Sequence, residues 1–131
     1  MKKKETTVED VLRIKRISYV ILAVIWLIFL LLLAFFGSRA YWAHFSPEKW
    51  QTHPDRRAYM TEDLLEKHRL TGMTEAEVTA LLGENDNDRS YFTQQDRFVY
   101  WLGDRRTIID SEWLLVDFTD GVVTDYQWTE D

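Results

Sequence analysis

Apolar positions along this chain follow three patterns in turn: an unbroken run, a helical period, and a strict alternation. The run comes first. Residues Ile17 to Phe36 read ISYVILAVIWLIFLLLLAFF, twenty residues without a charge, fifteen of them Leu, Ile, Val or Phe. At about 1.5 Å of rise per residue such a helix is roughly 30 Å long, the thickness of a bilayer's hydrocarbon core. Each of these side chains contributes about −0.3 to −0.6 kcal/mol near the bilayer centre, so insertion is favoured by several kcal/mol. A cleaved signal peptide has an apolar core of about 7–15 residues and a small-residue cleavage site. Here the run is longer, and bulky Phe35, Phe36, Tyr41 and Trp42 crowd its exit. The pattern predicts a retained transmembrane helix over residues 17–37, with Tyr19, Tyr41 and Trp42 placed as interfacial aromatics.

The helical period follows. Ser46-Pro47-Glu48 has the order of a helix start, an N-cap, proline at the first helical position and an acid. That piece must stop near His53, because Pro54 disfavours a helical residue before it. A second helix is expected from about Asp55 to His68, with Met60, Leu64 and Leu65 as its apolar stripe. The sharpest local signal is TGMTEAEVTALLGE. Thr74 and Glu77 form a capping box, Met73 and Val78 the matching hydrophobic staple, and Gly83 a stop that needs positive φ. Val78, Leu81 and Leu82 share its inner face.

After the polar break Asn85-Asp86-Asn87-Asp88 the period falls to two. Arg97 to Leu102 reads as a strand, and Trp113 to Phe118 and Val122 to Trp128 flank the turn signal Thr119-Asp120-Gly121. A two-residue loop at Asp120-Gly121 would put Asp125 and Gln127 on the face of Val116 and Leu114. A three-residue loop pairs Phe118 with Val122, Val116 with Thr124 and Leu114 with Tyr126, and keeps the carboxylate out of the core. The expectation is the three-residue loop. Helices followed by three antiparallel strands make an α+β fold, helices packed on a three-stranded sheet in a two-layer ααβββ arrangement. The expected organisation is a tail over 1–16, the transmembrane helix over 17–37, a juxtamembrane segment over 38–53 and a domain over 54–131.

Charge divides the chain in the same way. Residues Met1 to Gly37 carry six basic and three acidic side chains, and Ser38 onward carries ten basic and nineteen acidic. Arg13, Lys15 and Arg16 adjoin the entry of the apolar run and only Arg39 its exit, so the positive-inside rule puts the N-terminus in the cytoplasm and the domain outside, at the cell membrane. An acidic outer domain argues against nucleic acid, since phosphate binding requires a basic surface. Cysteine is absent, which removes disulfides, thiolate metal sites and lipid attachment through a cysteine.

Catalytic chemistry finds little footing. His44, His53 and His68 lack metal-ligand spacing, and none of Ser38, Ser46, Ser90 and Ser111 sits in a nucleophile elbow. Asp117, Asp120 and Asp125 lack the alternating ligands of a calcium loop, and Asp110 with Glu112 reads as strand-entry polarity as readily as an acid–base pair. No enzyme, cofactor or metal is expected, and no small-molecule substrate. The informative excess is aromatic. If Phe98, Tyr100, Leu102, Leu114, Val116, Phe118, Val122 and Tyr126 face the helices, the opposite face still carries Val99, Trp101, Trp113 and Leu115, where a solvated face would be polar. Either the Phe45–Trp50 segment or a long loop covers these four residues, or they form a patch for a protein partner.

The segments GMTEAEVTALLG (Gly72–Gly83), YWLG (Tyr100–Gly103) and LLVDF followed by DGVV (Leu114–Val123) resemble, in order and spacing, the SmpA/OmlA (BamE-like) domain family. The likeness covers about Gly72 to Trp128, and the preceding WQTHPDRRAYMTEDLLEKHRL is similar to the lead-in of membrane-anchored relatives in Gram-positive bacteria. The resemblance implies an ααβββ fold and action by binding proteins, as in the founding lipoproteins accessory to outer-membrane barrel assembly. Those are tethered through a lipidated cysteine, in whose place this chain has an apolar helix, and Asn85 stands where relatives often have proline. The expected function is a membrane-tethered, non-enzymatic adaptor or accessory subunit bound to an envelope protein; the alternative is a single-pass regulator signalling through its helix.

Overall fold

A computed structural model describes residues 5–104 and 110–131. The chain divides into two units, Met1–Arg39 and Ala40–Asp131. Helix α1 (Val8–Ala43) is continuous and none of its residues is buried. It starts where Thr7 and Asp10 cap one another: the Asp10 amide donates to the Thr7 hydroxyl at 3.3 Å, and the Thr7 amide donates to the Asp10 carboxylate at 3.1 Å. Its length is about 54 Å at the standard rise, and it is long and apolar enough to cross a membrane.

In the second unit the chain makes α2 (Pro47–Thr52), a 3-10 turn (Pro54–Arg56), α3 (Arg57–Lys67), α4 (Glu75–Leu82), a second 3-10 turn (Asn87–Arg89), then β1 (Arg97–Gly103), β2 (Glu112–Thr119) and β3 (Val122–Glu130). The class is α+β, with an antiparallel sheet in the order β1-β2-β3. The local rules read from the sequence account for the helix ends. Ser46 accepts from the Lys49 amide at 3.2 Å ahead of Pro47. Thr74 accepts from the Glu77 amide at 3.2 Å while Glu77 accepts from the Thr74 amide at 2.8 Å. Gly83 closes α4 with φ 78°. The core lies between the layers, where Trp50, Met60, Leu64, Leu70, Val78 and Leu82 meet Tyr100, Leu102, Leu114, Val116, Phe118 and Val123.

The hairpin departs from expectation. The β2–β3 loop has two residues, Asp120 and Gly121, both at positive φ (52° and 79°), so Thr119 pairs with Val122 and Phe118 with Val123. This is the mirror-image turn whose twist matches the flanking strands. A one-residue bulge at Thr124 then shifts the register, setting Asp117 opposite Asp125, Val116 opposite Tyr126 and Leu114 opposite Trp128. The carboxylate stays out of the core, but the bulge achieves it, not a longer loop.

Of the expected juxtamembrane segment 38–53, residues 40–53 belong to the compact unit. Trp50 is fully buried, and Trp42, expected at a lipid interface, packs against the core with its ring 5.0 Å from that of His53. The Phe45 amide donates to Asp63 at 2.6 Å and Lys67 donates to the same carboxylate at 2.8 Å. The Lys67 hydrogen bond first, then that of Phe45, holds the Asp63 carboxyl below its ordinary value.

The polar break 85–88 does structural work at the free edge of β1. The Asp86 amide donates to the Val99 carbonyl at 2.7 Å, and Asp86 Oδ2 accepts from the Trp101 amide at 3.0 Å. Asn87 accepts from the Val99 amide and donates to the Arg97 carbonyl, both at 2.8 Å. Side chains therefore take the place of a fourth strand and close that edge. Arg57, at the start of α3, anchors the arrangement from below. Its guanidinium donates to Asp86 Oδ2 at 2.8 Å, to the Trp50 carbonyl at 2.8 Å and to the Trp101 carbonyl at 3.1 Å. It also lies 5.3 Å from the Trp50 ring centre and 5.9 Å from that of Tyr100. Burial lowers the Arg57 pKa and the Asp86 charge opposes that shift.

Candidate partner-binding surface

Pairing of β1 with β2 puts Val99 beside Leu115 and Trp101 beside Trp113, so the four residues singled out in the sequence form one patch on the sheet face away from the helices. That patch is a second small core. Val99 and Leu115 are closed to solvent, Trp113 is 6% exposed, and Trp101 is half-buried. The Phe92 ring meets Trp113 edge-on at 6.3 Å. Phe92 is supplied by the stretch between the second 3-10 turn and β1, where the Ser90 hydroxyl accepts from the Phe92 amide at 3.0 Å. The Phe45–Trp50 segment lies on the other side of the sheet: Phe45 and Trp50 rings are 5.8 Å apart, and Trp50 is 6.3 Å from Tyr100, which parity directs toward the helices. Of the four candidates, only Trp101 presents an appreciable surface.

The same outer face carries Arg97 and Asp117, cross-strand neighbours joined by two hydrogen bonds of 2.5 and 3.1 Å. This hydrogen bonding raises the Arg97 pKa above its ordinary value. Asp117 is thus engaged by a cation, and among the described residues no group of three acidic, histidine or cysteine side chains is placed to hold a metal ion.

A different surface lies open on the helix side of β3. The 3-10 turn Pro54–Arg56 and α3 pack against β1, and among the described residues no helix packs extensively on β3. Tyr126 and Trp128, which point to that side opposite Val116 and Leu114, remain 37% and 36% exposed. Beside Trp128 is Glu112, only 3% exposed at the start of β2. Glu112 Oε2 accepts from the Trp128 indole N–H at 2.8 Å. Its other oxygen, Oε1, is buried and has no hydrogen-bond partner among the described residues. Glu112, Trp128, Thr129 and Glu130 line a cleft of about 430 Å³.

The sequence reading did not find this surface, because the three-residue loop it favoured set Tyr126 into the core opposite Leu114 and assigned Trp128 no partner. The signal that could have found it is the pair of aromatics two positions apart late in β3, Tyr126 and Trp128. Comparison with protein-family models, with curated proteins and with solved structures finds no match to this chain.

Proposed function

We propose that this chain is a membrane-tethered, non-enzymatic protein-binding module of the bacterial cell envelope, an adaptor or accessory subunit for an envelope protein. Helix α1 serves as the retained anchor through residues 17–37, with the basic tail 1–16 in the cytoplasm and the acidic α+β unit outside. The charge asymmetry about the apolar run supports that orientation, and the likeness to the SmpA/OmlA family supports action by protein binding. The observation that carries the reading is the uncovered strip on β3. Tyr126 and Trp128 are large, half-apolar side chains left more than one-third exposed on the helix-side face of β3, and amphipathic aromatics of this kind dominate protein contact energies.

Photo-crosslinking in native membranes tests the proposal. A benzophenone side chain at position 126 should capture one protein, whereas the same group at position 125, on the opposite face of the same strand, should not. Equal capture from both positions, or from neither, would refute it. An unrelated transmembrane helix in place of residues 17–37 should leave capture and function intact. Loss of function with capture intact would favour a regulator that signals through its helix.

A further inference from the structure

The acidic excess of the outer unit is not spread evenly along it. Residues 40–69 carry five bases and five acids, with all three histidines, whereas residues 70–131 carry four bases and fourteen acids. The stretch that follows the apolar run is thus without the net negative charge that would repel an anionic surface.

Two cations in that stretch are set on aromatic rings. Lys49 Nζ lies 4.4 Å from the Tyr41 ring centre, and donates to the Tyr41 carbonyl at 2.6 Å and to the His44 carbonyl. The Arg56 guanidinium lies 5.5 Å from the Trp42 ring centre and 6.0 Å from that of Tyr59. Tyr41 and Trp42 meet edge-on at 5.1 Å. Rings and carbonyls orient these cations but do not neutralise them. Among the described residues Lys49 has no carboxylate partner. Arg56 has Asp55 alone, its Nε 3.4 Å from the carboxylate in a pair open to water.

Their height along the anchor names the ligand. Helix α1 continues past Phe36, the end of the apolar run, to Ala43. Tyr41 and Trp42 stand five and six residues beyond Phe36, a rise of about 8 and 9 Å. The headgroup layer is about 5–8 Å deep on each side of the hydrocarbon core. The rings, and the cations held on them, therefore stand at its outer boundary, where aromatic and basic side chains meet phosphate.

We infer that Lys49 and Arg56, oriented by Tyr41 and Trp42, bind the phosphates of anionic phospholipids at the outer surface of the membrane. The inference rests on the proposed retained anchor and adds a lipid contact to it. The test uses the full chain in zwitterionic detergent micelles, with nitrogen-15 in its six tryptophans. Phosphatidylglycerol is titrated in, and the readout is the indole N–H resonance of Trp42. A saturable shift is expected, with none from phosphatidylcholine and none at the Trp128 resonance. Arg56→Gln should weaken the response about fivefold, the worth of one basic side chain at an anionic surface. Arg89→Gln, which removes the same charge from the second 3-10 turn, should leave it unchanged. Equal responses to the two lipids, or equal weakening by the two variants, would overturn the inference. Inorganic phosphate and a blocked tetraglutamate stand for a free anion and an acidic protein; a matching shift from either would overturn the lipid assignment. If protease treatment of spheroplasts shows a retained anchor while the titration fails, only the headgroup contact is lost. A chain released without residues 17–37 would instead remove the anchor on which the inference rests.

Discussion

Replacing Asp86 by alanine leaves the Arg57 guanidinium buried beside two carbonyls with no counter-charge. In the native chain the pair is 2.8 Å long, with Arg57 only 5% and Asp86 19% exposed. Breaking a buried pair from one side costs about 3–5 kcal/mol, because the remaining ion is uncompensated. The same substitution strips the Trp101 amide of its acceptor at the edge of β1, which adds about 1 kcal/mol if water does not replace it. The total approaches the whole stability of a small domain, about 5–15 kcal/mol. Asp117→Ala is the internal control. It removes a pair of similar geometry with 16% and 33% exposure, where water and salt take up the charge and about 1 kcal/mol is the upper range. Urea unfolding of the full chain in micelles, followed by near-ultraviolet circular dichroism, should separate the two variants by at least about 2 kcal/mol. If Asp86→Ala costs less than about 1 kcal/mol, or no more than Asp117→Ala, the Arg57–Asp86 contact behaves as a surface pair and the argument for a closed β1 edge fails.

Three further outcomes follow from single positions. A Cβ at Gly103 would lie 2.5 Å from the Asp55 carbonyl oxygen, at φ +99°. Gly103→Ala should therefore prevent folding or cost several kcal/mol, whereas Gly121→Ala, in open space, should cost about 1 kcal/mol of backbone strain, read from the same urea curves. Burial raises the Tyr100 phenol pKa, and its hydroxyl donates to the Gly83 carbonyl at 3.1 Å. Because the folded pKa lies above the unfolded value of about 10, this contribution is complete below pH 10 and is lost as pH rises above it. Tyr100→Phe should flatten the alkaline limb of a stability–pH profile and cost about 1 kcal/mol at neutral pH. Trp113→Ser should destabilise the domain by about 3–5 kcal/mol, as truncation of a core tryptophan does, and Trp101→Ser by clearly less; equal losses in calorimetry would show that both rings are core.

What the sequence disclosed and what it withheld divide by range. The α4 capping box, the Ser46-Pro47 start and the apolar run depend on residues within four positions or on composition alone, and all three stand in the structure. The strands were legible from alternation, and their boundaries shifted by only a residue or two. The hairpin register was not legible. Keeping Asp125 off the core face can be met by a longer loop or by a bulge, and twist matching at the Asp120-Gly121 turn, which the pattern does not encode, selects the bulge. The Arg57–Asp86 pair joins residues 29 apart in sequence, and nothing local marked the polar break as a cap for β1. The burial of three of the four candidate surface residues was hidden for a similar reason. Parity correctly grouped Val99, Trp101, Trp113 and Leu115 on one face, but which face is covered depends on where Phe92 and the helices come to rest.

The central claim is a binding unit held outside the membrane by a retained helix, and protease added to intact spheroplasts tests it most directly. With one epitope at the N-terminus and another after Asp131, the account predicts rapid loss of the C-terminal epitope and survival of a short membrane-bound fragment bearing the N-terminal one. A full-length chain that resists protease until lysis, or a mature product released without residues 17–37, would contradict it.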